Sequence, residues 1–582
     1  MEVLYTFLPD RKMKGIGVSP GISIGRAFVL KKSGPVLTGI LLNDEAEALI
    51  EIEKFDKAVN LAITEIEAIK QNEGLMLAED DIAILETQIE FSGDPQIRED
   101  VVEKISLERK NANDALIEVI DSMVELFKNM DDEYMQARSA DVQDIGNRIL
   151  KHLDGQIKTN KQAFTADTIV IADDISPSDT ISMDTRYVIG FATLSGSKTS
   201  HASIIARSKR IPAIVGCGDG LLAIKDNDII ILDGINGVLH INPNKQIIDE
   251  HKVKREAFIK QTEKLKSLKN TLAITIDGAK IMLSANISNA DDMDAVFENG
   301  GEGVGLFRTE LLFMGRDTFP AEEEQFEFYK QVAIRSKNKP VIVRTIDIGG
   351  DKQLSYLNLP TEQNPFLGYR AIRICLDRKD IFITQLKAIL RASVFGDLKV
   401  MFPMISNIQE LRQAKNILTE AKNELLIENL PFNADIKVGI MIEIPSAAIT
   451  ADILAKEADF FSIGTNDLCQ YTLAVDRMND KITHLYDPFN PGVLRLISYV
   501  IEQGHKHNIH VGLCGEMAAD PMAALLLLGM GLKEFSMSAA SIPAIKDIIT
   551  HNSISSAQQA CKKVMEMDSS QNIITYLQDL QQ

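Results

Sequence analysis

At 582 residues the chain exceeds what one hydrophobic core organises, so two to four domains are expected. With 45% apolar and 25% charged residues its usage is ordinary for globular proteins, which excludes extensive disorder. A net charge of −21 argues against nucleic acid as a partner, because a phosphate backbone requires a positive footprint.

The opening residues, MEVLYTFLPDRKMKG, carry neither a basic stretch ahead of an apolar one nor a small-residue cleavage site. The longest apolar run, near Met522 to Leu532, falls short of the roughly 20 residues that cross a bilayer. A cytoplasmic protein without membrane insertion is the expectation. Cys217, Cys375, Cys469, Cys514 and Cys561 form no CxxC, so neither a disulfide framework nor a thiolate zinc site is suggested.

In chain order, a β-like run, GISIGRAFVL, comes first. Apolar residues then recur at helical spacing, as in Val59, Ala62, Ile63, Ile66 and Ile69, through a segment poor in glycine and proline. This predicts a helical subdomain over 43–145, inserted into an α/β domain made of 1–42 and 146–250. Residues 44–145 hold 28 acidic against 9 basic side chains, −19 of the whole imbalance. Such a surface either attracts a basic protein or is simply a solvated helical face. The runs TIVIA, YVIGFA, AIVG, DIIILDG and GVLHI follow as strands of the enclosing domain.

Residues 251–272 are charged, helical in pattern and free of proline and glycine, which suits a connecting helix. From 273 to 582 the rhythm becomes strand and helix in alternation. Eight strands are expected: Lys280–Ile287, Gly303–Arg308, Pro340–Ile348, Leu398–Met404, Ile436–Ile444, Phe460–Thr465, His510–Cys514 and Glu534–Met537. Eight such units predict a closed (β/α)8 barrel. An open doubly wound sheet is the competing topology, but no GxGxxG follows a strand and opens a helix.

Barrel enzymes place their chemistry at the C-terminal ends of the strands. There this sequence puts Arg308 and Glu310, then Arg344, Asp347 and Lys352, then Glu443, Asn466 and Asp467, and finally Cys514 and Glu516, with Arg477 in a loop. Several arginines with two carboxylates suit a small anionic substrate and a hard divalent cation, since guanidinium forks match carboxylate and phosphate oxygens. A phosphorylated carboxylic acid is the natural candidate. A second centre is GSKTSHASIIARS, where His201 stands at the start of a helical pattern. Free backbone amides and the helix dipole favour phosphate there, and neutral imidazole is a competent nucleophile near neutral pH.

GSKTSHASIIARS, GEGVGLFRTELLFM, RTIDIGGDK, NPFLGYRAIR, FPMIS, IMIEIPSAA, FSIGTNDLCQYTLAVDR and GLCGEMAADP, in this order between Gly15 and about Pro543, resemble the enzyme I family of the bacterial phosphoenolpyruvate:sugar phosphotransferase system. The resemblance implies that His201 accepts the phosphoryl group of phosphoenolpyruvate and passes it to the phosphocarrier protein HPr, releasing pyruvate. It implies that Arg308, Arg344, Asn466 and Arg477 clamp the substrate, with Lys352 and Arg370 beside them, and that Glu443 and Asp467 hold Mg²⁺. Cys514 is implied as the acid that protonates the enolate. The family further implies an HPr-docking role for the acidic helices, a homodimer through the barrel, and a histidine domain that swings about the linker.

Two departures stand out. Gly196-Ser197-Lys198 replaces the usual Gly-Gly-Arg before the TSH triplet, and Gln88 occupies a position where relatives often carry His. The alternatives are a phosphoenolpyruvate synthase or pyruvate phosphate dikinase, which would need an ATP-binding domain before the histidine domain, and a non-catalytic regulatory homologue, which should have lost some of these residues.

Overall fold

In the computed structural model the described residues are 11–30, 37–70, 79–128, 133–153, 167–175, 186–196, 203, 206–207, 209, 211–314, 316–350, 354–357, 359–360, 362–479 and 481–581. The chain divides into two compact units, 1–261 and 262–582.

The first unit contains an eight-stranded sheet of β1 (Arg11–Lys14), β2 (Ile16–Ser19), β3 (Ile22–Leu30), β4 (Thr168–Ala172), β5 (Val188–Thr193), β6 (Ala213–Val215), β7 (Ile229–Asp233) and β8 (Val238–Ile241). Their order is β1-β8-β7-β3-β4-β5-β6-β2. The central strands β3 to β6 run parallel, and β7 joins β3 antiparallel. Apolar residues cover both faces: Val170, Phe191 and Val215 on one, Ile169, Ala192 and Ile214 on the other. Sequence reasoning found β3 to β8 but missed β1 and β2, the two outer strands. Edge strands are short and often charged because one side pairs with nothing, and RKMK shows no alternation of apolar residues.

Between β3 and β4 the described residues form five helices, α1 (Glu45–Lys70), α2 (Glu79–Ser92), α3 (Pro95–Leu107), α4 (Ala112–Lys128) and α5 (Glu133–Leu153). In α1 the residues Phe55, Ala58, Ala62 and Ile66 are buried at the three-to-four spacing that aligns one helical face. Asp94 starts α3 by accepting the Gln96 N–H, with Pro95 at the first helical position. The last helix runs on to Leu153, eight residues beyond the sequence boundary at 145. Gln88 is 1% exposed and donates to Asp144 at 3.0 Å, so it packs between α2 and α5 rather than facing a partner. Helix α6 (Lys245–Ser267) begins six residues ahead of the expected linker and contains the division between the two units.

The second unit is a closed parallel barrel of β9 (Met282–Ile287), β10 (Gly303–Phe307), β11 (Val341–Arg344), β12 (Leu398–Phe402), β13 (Val438–Ile442), β14 (Phe460–Ile463), β15 (His510–Leu513) and β16 (Glu534–Met537). β16 pairs with β9, Met537 opposite Ala285, and this seam closes the cylinder and rules out the open sheet. All eight expected strands are present. Most end earlier than expected because the apolar pattern continues into the loops: Ile346 and Ile348 are fully buried yet lie past the end of β11. The main core fills the space between strands and surrounding helices, while Leu306, Ile342, Met401, Met441, Phe460 and Cys514 cluster separately. Among the described residues no helix is long and apolar enough to cross a membrane.

Candidate active site

A cavity of about 430 Å³ opens at the C-terminal ends of the barrel strands. It is lined by Arg308, Glu310, Arg344, Asp347, Arg370, Glu443, Asn466, Asp467, Arg477, Cys514 and Glu516, eleven of the residues singled out in the sequence. Lys352 and His201 lie outside the described residues.

Arg308, Arg344, Glu443, Asn466, Asp467 and Cys514 close or closely follow strands, whereas Arg370 and Arg477 come from loops. Arg344 closes β11, where a buried guanidinium must find carboxylates to remain affordable. Its Nη2 donates to Glu310 at 2.7 Å and its Nη1 lies 3.1 Å from Asp347. Burial works against its charge, but Glu310, Asp347 and Glu443 more than offset that and hold it protonated. Arg370 is similarly placed: its Nη2 reaches Asp347 at 3.0 Å and Asp467 at 3.2 Å, and its Nη1 donates to the Tyr471 hydroxyl at 3.1 Å. Arg477 stands farther from Asp467, at 3.9 Å. The Nε groups of Arg344, Arg370 and Arg477 are buried and have no hydrogen-bond acceptor among the described residues. All three arginines line one cavity, and such a cluster of guanidinium groups fits a multivalent anion.

The carboxylates show the complementary deficit. Glu443 follows β13 and is 2% exposed. Burial first, and then Asp467 and Asp347, push its pKa up to about 8. Its Oε1 accepts the Met404 N–H at 2.6 Å, and Met404 holds the left-handed backbone, φ 58°, that directs this N–H inward. A Cβ on Gly464 would approach Oε2 to 3.1 Å, so the residue after β14 leaves room beside the free oxygen. No group of three or more His, Cys, Asp or Glu is placed to hold a metal by itself among the described residues. Two carboxylates crowded together at one cavity fit a hard cation that completes its shell with water and substrate oxygens. Asn466 is fixed from both ends: Nδ2 donates to Glu516 at 3.2 Å, and Oδ1 accepts the Glu516 N–H at 2.9 Å.

Cys514 follows β15, is 3% exposed, and has its thiol pushed up to about 11 by burial. A thiol with that pKa stays protonated throughout the neutral range and is available as an acid. Iodoacetamide modification of Cys514, followed by peptide mapping, should therefore rise about tenfold per pH unit from neutral pH and level off only near 11. A plateau below pH 9 would contradict a buried protonated thiol.

The sequence had not pointed to Met404, Tyr471 or Gly464. Only their placement in the fold reveals them, since nothing in the spacing of an apolar methionine announces a backbone donor.

Comparison with known proteins places these observations. Residues 262–554 match the PEP-binding domain of PEP-utilising enzymes, residues 14–138 their N-terminal domain, and residues 164–237 their mobile domain. A phosphoenolpyruvate-protein phosphotransferase of Bacillus subtilis is 45% identical over 569 residues, covering 98% of this chain and 99% of that protein. One of Staphylococcus aureus is 46% identical over 533 residues, 92% of this chain and 93% of that protein. An NMR solution structure of an Enzyme I protein is 35% identical and covers 42% of this chain and 99% of its own, with a TM-score of 0.37.

Proposed function

This chain belongs to the phosphoenolpyruvate-protein phosphotransferase family, and from that premise we infer how its residues divide the work. The reaction moves the phosphoryl group of phosphoenolpyruvate to the protein and on to HPr, the first step of the phosphotransferase system. The observation that supports the residue assignments is the cavity at the strand ends, lined together by Arg308, Arg344, Arg370, Arg477, Glu443, Asp467 and Cys514.

Arg308, Arg344, Asn466 and Arg477 bind the substrate's carboxylate and phosphoryl oxygens, with Lys352 and Arg370 beside them. Arg370 holds Asp347 and Asp467 in place through the contacts described above. Glu443 and Asp467 would hold the divalent cation, Mg²⁺, which would supply neutralising charge to the phosphoryl oxygens. His201 is the acceptor. Its neutral ring nitrogen forms the new N–P bond as the bond from phosphorus to the enol oxygen breaks and leaves its electron pair on that oxygen. The guanidinium groups stabilise the resulting enolate, because preorganised donors act most strongly where charge develops. Cys514 then gives its thiol proton to the methylene carbon, and pyruvate leaves. The acidic helices α1 to α5 dock HPr, the barrel unit dimerises, and the protein works in the cytoplasm.

Radiolabelled phosphoenolpyruvate with Mg²⁺ should leave acid-labile phosphate on one peptide, the one containing His201. Label on any other residue, or label taken from ATP without phosphoenolpyruvate, would refute the assignment.

A further inference from the structure

Barrel interiors are ordinarily filled with branched apolar side chains. Here Leu306, Ile342, Met401, Met441 and Phe460 keep one side of the interior apolar, but the wall made by β9, β15 and β16 is polar. Ser284 donates to Glu534 at 2.6 Å, and Glu534 is bonded to His510 at 2.7 Å. One level nearer the cavity, the Ser536 hydroxyl donates to Asn286 Oδ1 at 2.6 Å, and Asn286 Nδ2 donates to the Cys514 carbonyl oxygen at 3.0 Å. Buried polar groups are costly unless bonded, so such a chain needs a reason to exist.

The reason lies where it ends. Pairing between β15 and β16 stops at Leu513, so the Cys514 carbonyl has passed beyond the ladder and takes its hydrogen bond from a side chain instead. The Cys514 N–H is already held by the Ile463 carbonyl of β14 at 3.0 Å. Asn286 supplies the other restraint, and Ser536 decides which way its amide faces. A flipped amide would set its oxygen against the Cys514 carbonyl. Ser536 is 1% exposed and occupies space left by Gly305, where a Cβ would come within 2.6 Å of its Oγ. It therefore has little freedom to release the amide.

We propose that Asn286, oriented by Ser536, is a positioning residue for the proton transfer: it fixes the Cys514–Gly515 peptide so that the thiol meets one face of the enolate. This rests on the reading of Cys514 as the acid. In the step itself the S–H bond breaks, a C–H bond forms at the methylene carbon, and the thiolate recovers a proton from solvent.

Facial delivery leaves a record. A single turnover of the full-length protein, in excess over phosphoenolpyruvate stereospecifically deuterated at C3, in tritiated water with Mg²⁺, should give pyruvate with a chiral methyl group. Asn286→Ala should give a largely racemic methyl group and form pyruvate about 10- to 100-fold more slowly. Its half-saturating phosphoenolpyruvate concentration should change less than about threefold, because substrate binding is untouched. Ser536→Ala should shift both readouts in the same direction by less. A merely structural loss would slow the reaction without scrambling the product. Full chirality with a rate within about twofold of the parent in Asn286→Ala overturns the proposal. If that variant does not fold, the same result in Ser536→Ala does so. Cys514→Ala is measured in parallel. If it keeps the methyl group chiral, the acid assignment fails and the proposal with it; if it racemises while the folded Asn286 variant does not, only the positioning role falls.

Discussion

His201→Ala yields a protein that binds phosphoenolpyruvate but takes up no acid-labile phosphate and passes none to HPr. The expectation is complete loss rather than a slower rate, because phosphorus needs a nucleophilic nitrogen and the substitution removes the only one assigned to it. Calorimetric titration with phosphoenolpyruvate and Mg²⁺ should match the parent, since every described cavity residue belongs to the barrel unit, 262–582, and His201 does not. Thermal melting of the barrel should be unchanged for the same reason. Residual label in the variant would mean that another group accepts the phosphoryl and that the relay has been misassigned. Lys198, standing where relatives usually have arginine, gives a graded companion test. Lysine keeps the positive charge but lacks the planar fork. Lys198→Arg should preserve phosphorylation at His201, with any effect confined to its rate.

The barrel was readable from sequence because each strand is a short apolar run, and polar residues that close or follow several of them converge on one cavity. Arg344, Glu443, Asp467 and Cys514 are remote in the chain, yet each follows or closes a strand, and the closed cylinder brings strand ends together whatever their separation. What stayed hidden were contacts made by backbone geometry or by uncharged side chains. The Met404 N–H reaches Glu443 only because Met404 adopts a left-handed conformation, which methionine does not advertise as glycine would. Asn286 and Ser536 face each other across β9 and β16, a pairing that depends on barrel closure and so on the whole unit being folded. In the first unit, β1 and β2 escaped because outer strands need only one partner and carry little periodicity. The helix ends at Leu153 and Lys245 escaped for a simpler reason: helical spacing continues past the point where the composition changes.

Arg344→Met should combine a stability defect with a functional one, and a second substitution should separate them. The guanidinium is 8% exposed and neutralises Glu310 and Asp347, each 5% exposed at the side chain. Removing it leaves buried Glu310 without a cation, while Asp347 keeps Arg370 at 3.0 Å, and breaking such a buried pair costs about 3–5 kcal/mol. Denaturant unfolding would register that loss. If Arg344 holds the substrate as proposed, the same change should also cost about 10²- to 10³-fold in kcat. Adding Glu310→Gln to Arg344→Met takes away the stranded charge, so unfolding stability should recover in part while turnover stays low. Because Glu310 accepts from Arg344 at 2.7 Å and from the Asp347 N–H at 3.2 Å, the two substitutions should be non-additive in stability. Recovery of activity along with stability would mean that Arg344 serves the fold alone and that the substrate is held by Arg308 and Arg477 without it.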